Sequence, residues 1–202
     1  MARTATICLL LLCAAALCAA PPAPQKLKPV TAAEADQRVA ETRDFLANML
    51  WAHTEEHWHV GEWEECIRLC RQIVALDPHF VEAYNGAAWM LWNLDRDKDA
   101  IEVYRAGIAA NPDQYEIYHE FGMYYYQRKQ WDQAAEQFRK SVETGAPRYF
   151  QHMLPNVLDR AGRKQEALKE WRALLKRFPD DPIAKQHIAA LEQALAAQSK
   201  SP

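Results

Sequence analysis

Three stretches of this 202-residue chain end alike, in Ala75-Leu76-Asp77-Pro78, Ala109-Ala110-Asn111-Pro112 and Lys176-Arg177-Phe178-Pro179. The first two prolines stand 34 residues apart, and the second and third 67, one short of twice that spacing. The boundary missing between them falls at Gly145-Ala146-Pro147. A fixed period of this length predicts a stack of like units, because one such unit cannot bury its apolar face alone. The residues between the prolines are rich in Ala, Leu, Glu, Gln and Arg, and the chain has only 6 Gly, so each unit is expected to be a pair of helices. Hydrophobic residues make up 50% and the net charge is −3 at pH 7, the balance of a chain that folds and not of a disordered one. With no block of Lys or Arg there is no electrostatic footprint for a phosphate backbone, and nucleic acid is not an expected partner.

The slots inside each unit are readable. The third unit places Tyr118, Phe121, Gly122 and Tyr125 in its first helix, and Ala134 and Phe138 in its second. The second unit fills the same slots with Tyr84, Ala87, Ala88 and Leu91, then Ala100, Tyr104 and Pro112. This resembles the tetratricopeptide pattern, W-x2-L-G-x2-Y followed by A-x3-F and P. The fourth unit keeps Leu154, Leu158, Ala167, Trp171 and Pro179, but Pro155 stands inside its first helix, which should therefore be kinked or begin late. The first unit is the least regular. Cys66 and Cys70 take its small and aromatic slots, while Leu50, His53, Thr54 and His57 replace Trp, Leu, Gly and Tyr. Thr31-Ala32-Ala33-Glu34 is a capping box, and no breaker follows before Gly61, so a long upstream helix should run straight into this unit. The resemblance implies an all-α, right-handed superhelical solenoid of about four hairpins, at about 47–80, 81–114, 115–147 and 148–181. A long N-terminal helix precedes them and a capping helix at 182–198 closes the stack, the whole domain covering 31–198.

Upstream, Arg3 precedes an apolar run from Ile7 to Ala20 and then Pro21-Pro22-Ala23-Pro24. This is the anatomy of a secretory signal peptide over residues 1–20, followed by a proline-rich linker at 21–30. The run is shorter than the roughly 18 residues that cross a bilayer core, so a cleaved leader is expected and no membrane span in the mature chain. Cys13 and Cys18 follow Leu12 and Leu17 instead of small residues, which disfavours a lipoprotein. A secreted or periplasmic protein is expected, with an uncleaved or lipidated tether as the lesser alternative.

No Gly-x-Ser-x-Gly, P-loop, His-Glu-x-x-His or Gly-x-Gly-x-x-Gly occurs in the chain, and adjacent acidic pairs such as Glu64-Glu65 diverge around a helix. Catalysis is not expected. One cluster invites a metal. His53 and His57 are four apart on one helix, and Cys66 and Cys70 four apart on the next, so each pair shares a face. The resemblance turns those faces toward each other, which would suit a tetrahedral Zn²⁺ site. Against it stands the reading of both cysteines as small buried hydrophobes.

The resemblance also implies a concave face on which family members hold peptides. Its slots contain Trp51, Glu55, Trp58 and His59, then Asn85, Trp89, Trp92 and Asn93, then His119, Met123, Tyr126 and Gln127, and last His152 and Asn156. The partner-binding set expected from these is Trp58, Asn85, Trp89, Trp92, Asn93, His119, Met123 and Tyr126. An aromatic and amide-rich groove suits an apolar or aromatic peptide, and sugar rings would stack on the same residues. Trp51 and Trp58 have a competing role, packing under the N-terminal helix. The leading function is thus a non-catalytic scaffold for another protein's segment, and the rival a metal-binding or redox-responsive module.

Overall fold

The computed structural model describes residues 29–199; the expected signal peptide and the linker up to residue 28 lie outside them. The described residues are helical throughout, with no strand among them. Two units divide at Arg38/Val39. In the first, Thr31 and Glu34 cap the opening helix reciprocally: Thr31 Oγ1 accepts from the Glu34 N–H at 3.2 Å, and Glu34 Oε2 accepts from the Thr31 N–H at 2.8 Å. The Thr31 N–H and the Thr31 hydroxyl, both donating to Glu34 Oε2, hold the Glu34 carboxyl below the usual carboxylate range.

From Val39 onward the chain is a stack of hairpins. The first pairs the end of α1 (Ala32–Val60) with α2 (Trp63–Leu76), the second α3 (Val81–Asn93) with α4 (Asp97–Ala110), and the third α5 (Tyr115–Gln127) with α6 (Trp131–Glu143). The fourth hairpin is broken: α8 (Met153–Arg160) faces α9 (Lys164–Arg177), and the short α7 (Arg148–Gln151) before it lies against α6. Pro155 falls in the first turn of α8, where its missing N–H has no intrahelical partner to lose. The last helix, α10 (Pro182–Gln198), starts on Asp181, whose carboxylate accepts from the Ile183 and Ala184 N–H groups at 3.0 Å each. Ala184 and Leu191 are the buried face of α10, packed into the same core as Leu158, Trp171 and Leu174.

The hairpin turns repeat one backbone solution. After α1, Gly61 takes φ +78° and the Glu62 N–H returns to the His57 carbonyl at 3.0 Å. Arg96 to Leu91, Gln130 to Tyr125 and Arg163 to Leu158 make the same bond in the later hairpins. Asp95 and Lys129 occupy the left-handed position there, both at φ +58°, where an L side chain costs about 1–2 kcal/mol. Lys129→Gly is therefore expected to raise stability by about 0.5–1 kcal/mol after the extra freedom of the unfolded glycine is subtracted. Urea denaturation measures this, and a lower midpoint would contradict it.

Between hairpins, the helices stop at Leu76, Ala110 and Arg177, two residues before Pro78, Pro112 and Pro179. Asn111 is buried at one of these joints and donates to the carbonyls of Pro78 and Gly107 at 3.0 and 3.2 Å, tying two successive joints together. The core is built from the small and aromatic slots: Ala87, Ala100 and Leu91 in one cluster, Tyr104, Phe121 and Tyr124 in the next, Ala134, Phe138, Ala167 and Trp171 in the third. A Cβ on Gly122 would sit 2.7 Å from the Phe138 ring, so glycine is what lets α5 and α6 approach this closely.

Candidate interaction surface

On α1, Ala47, Leu50, Trp51 and Thr54 recur every three to four residues and face the other helices. Thr54 is buried and its hydroxyl donates to the Leu50 carbonyl at 2.9 Å. Trp51 leans on Phe80 with ring centroids 5.5 Å apart. Two turns further, Trp58 is 39% exposed. Across from it on α3, Gly86 carries no side chain, and a Cβ there would come only within 3.6 Å of the Trp51 ring. The result is a cleft of about 410 Å³ walled by Trp51, Trp58 and Met90, with Thr54 and Gly86 lining it and Glu55 and His59 adding polar groups. Its lining is apolar with a carboxylate and an imidazole, a composition that holds a hydrophobic side chain and orients it by charge.

Trp58 also begins a run of rings. It stacks on Trp63 at 6.3 Å and meets Trp89 at 4.9 Å; Trp89 meets Trp92 at 6.0 Å, and Trp92 meets Tyr124 at 6.4 Å. The Arg128 guanidinium closes the run over Trp92 and Tyr124, 5.1 and 4.2 Å from their centroids, and is ion-paired to Asp97. Trp63 was not among the residues expected at the surface. Its signal was present, since Trp131 occupies the corresponding place two hairpins later and packs on Tyr126 as Trp63 packs on Trp58, five residues back.

The eight expected partner-binding residues thus divide. Trp58 lines the cleft. Trp89 and Trp92 are half-buried in the ring run, Tyr126 sits between Trp131 and Arg160, and Met123 packs against the third core cluster. The Asn93 amide donates to the Trp89 carbonyl at 2.8 Å, and Asn85 lines a separate hollow with His79, Glu82 and Glu116. His119 is a correction. It is buried, with Phe150 edge-on at 4.7 Å and Phe138 at 5.5 Å, because short α7 lays Phe150 over it. Burial pushes its pKa down to about 4.

The expected His2Cys2 cluster does not assemble. Cys66 and Cys70 are buried free thiols in the first core cluster, and the Cys66 thiol donates to the Thr54 carbonyl at 3.4 Å. Burial raises both pKa values, that of Cys70 to about 12. His53 and His57 turn to the other side and bond Glu56 and Glu62. Thr54, not His57, presents toward Cys66, so the two pairs are held apart by the rotation of α1. Among the described residues no three His, Cys, Asp or Glu are grouped to hold a metal ion.

The tetratricopeptide-repeat profile matches residues 55–115, the second half of the first hairpin and the whole of the second. Those residues are tetratricopeptide repeat, and the described residues as a whole have the all-α fold of a tetratricopeptide solenoid. A curated relative, the BBSome complex member BBS4 of Bos taurus, is 26% identical over 121 residues, 60% of this chain; the chain spans only 23% of that protein's length. Three solved structures are similar in fold. The MamA protein is 15% identical with a TM-score of 0.58, covering 77% of this chain and 85% of its own. PilF of Pseudomonas aeruginosa is 16% identical with a TM-score of 0.59, covering 77% and 72%. A thermophilic tetratricopeptide protein of Thermus thermophilus is 17% identical with a TM-score of 0.52, covering 78% and 87%. Tetratricopeptide repeats are in general scaffolds for protein–protein interaction. Among the described residues no helix is long and apolar enough to cross a membrane.

Proposed function

We propose that this tetratricopeptide chain is a non-catalytic scaffold of the periplasm or cell exterior, holding a segment of another protein in the cleft between α1 and α3. The observation that carries the reading is the cleft itself, in which the exposed ring of Trp58 and the half-buried ring of Trp51 stand on either side of a glycine floor. Trp is enriched among the residues whose truncation costs more than about 2 kcal/mol at interfaces. Glu55 at the same cleft selects the occupant further: an aliphatic or aromatic side chain with a Lys or Arg nearby in the segment. Selection from a random peptide library on the purified protein tests this. Enriched peptides should pair an apolar anchor with a basic residue, and Gly86→Leu, which puts a side chain into the cleft, should abolish their enrichment. Equal enrichment on both proteins would overturn the assignment of the cleft.

The compartment follows from the leader read in the sequence. Intact mass of the protein recovered from the exporting host is expected to place the mature start between Leu17 and Ala23 with no acyl group. A chain beginning at Met1, or a diacylglyceryl mass on Cys18, would contradict export by a cleaved signal.

A further inference from the structure

His53 and His57 stand one helical turn apart with their Nε2 atoms 3.2 Å from each other. The other nitrogen of each ring is engaged: His53 Nδ1 lies 2.9 Å from Glu56 Oε2, and His57 Nδ1 lies 2.5 Å from Glu62 Oε2. A carboxylate beside Nδ1 accepts a hydrogen bond from the Nδ1–H, and in the neutral ring that tautomer leaves the lone pair on Nε2. Two such lone pairs then face one another across 3.2 Å. A proton or a metal ion held between them makes that arrangement favourable, and the two compete for it.

We propose that His53 and His57 form a surface site for a divalent transition-metal ion, ligated by the two Nε2 atoms, with Glu56 and Glu62 as the outer partners that orient the rings. The spacing supports this directly. An ion about 2.1 Å from each nitrogen, with an angle of about 100° between the two bonds, puts the nitrogens about 3.2 Å apart, the separation already present. The site lies on an exposed stretch of α1, with 53% of the His53 side chain and 22% of the His57 side chain open to solvent. Water therefore completes the coordination. Imidazole pairs favour Cu²⁺, Ni²⁺ and Zn²⁺ over the oxygen-seeking Mg²⁺ and Ca²⁺. This site is distinct from the buried thiols and from the cleft, which uses neither ring, so it stands or falls independently of peptide binding.

Isothermal titration of the tag-free chain with Cu²⁺, Ni²⁺ or Zn²⁺ alone is the test. One ion per chain is expected, with Cu²⁺ tightest. His53→Ala and His57→Ala should each weaken binding at least tenfold, and Glu62→Gln, which keeps the ring ligands, about tenfold or more. The electron paramagnetic resonance spectrum of the Cu²⁺ form should show nitrogen and oxygen ligands and no sulfur. Both histidine variants should melt like the parent in the absence of metal, since neither ring is part of the core. No uptake, uptake unchanged in His53→Ala, a sulfur signature in the spectrum, or Mg²⁺ binding as tightly as Zn²⁺ would each overturn the proposal.

Discussion

Asp181→Ala is expected to remove about 2–4 kcal/mol of stability, measured by urea denaturation at neutral pH. Two losses combine. The carboxylate is the N-cap of α10, and without it the N–H groups of Ile183 and Ala184 lose their acceptor. The same group lies 2.8 Å from Nε2 of His152, and both residues are buried, at 1% and 7% exposure. Removing one member of a buried hydrogen-bonded pair leaves the other unsatisfied, which costs about 1–3 kcal/mol. Burial works against the ionised Asp181, but the Ala184 N–H and the His152 ring outweigh it and hold the carboxyl below the usual range. That stabilisation is present above the ordinary carboxylate pKa and is lost only as pH falls through the lowered one. Asp181→Asn, which can still accept from the α10 N-terminus, should recover part of the loss.

The second large effect is a loss of stability on mild acidification, caused by His119. In the folded chain its pKa is pushed down to about 4 by burial against Phe138 and Phe150, while in the unfolded chain it stays near 6.5. Between these values the unfolded state binds a proton that the folded state refuses. Stability therefore falls as pH drops from about 6.5 toward 4, by about 1.4 kcal/mol per unit at the steepest and about 3 kcal/mol in all. The carboxylates with lowered pKa, Glu34, Glu65, Glu166 and Asp181, act only from the acid end of this window downward. Glu120, whose burial raises its pKa, works in the opposite sense, so the histidine's share is read from the difference between the parent and a variant without it. His119→Phe should thus flatten the dependence of unfolding free energy on pH between 6.5 and 4.5, and an unchanged slope would show that the ring is accessible to protons in the fold.

Repeat punctuation was legible because its physics is local. A proline after a helix and a capping box at Thr31 and Glu34 are each decided within a few residues. Pro155 likewise announced a disturbance, and α8 restarts so that it falls in the first turn. The consequence of that disturbance was not legible. The break creates α7, and α7 carries Phe150 over His119, a contact between residues 31 positions apart that no pattern in α5 announces.

The first repeat departs from its pattern for a related reason. Four-residue spacing says that His53 and His57 share a face, and Cys66 and Cys70 another, but it does not say how far α1 is rotated about its axis. Thr54, the neighbour of His53, took the buried position and met Cys66, and the imidazoles were left outside with Glu56 and Glu62. Trp63 lies outside the concave-face slots, which belong to the first helix of each hairpin. The second helix supplies it, and with it the ring on which Trp58 stacks.

This division of the tryptophans frames the central claim, that the cleft of the first two repeats captures a peptide while the ring run behind it holds the repeats together. Side-by-side measurement of peptide affinity and melting temperature in Trp58→Ala and Trp92→Ala tests it most directly, with a peptide selected on the parent protein as the probe. Trp58→Ala should weaken binding at least tenfold, about 1.4 kcal/mol, with little change in melting temperature, because its ring is exposed on one side. Trp92→Ala should do the reverse: it removes the link between Trp89, Tyr124 and Arg128 and lowers the melting temperature, while affinity per folded molecule holds. Unchanged affinity in Trp58→Ala, with the fold intact, would contradict the account.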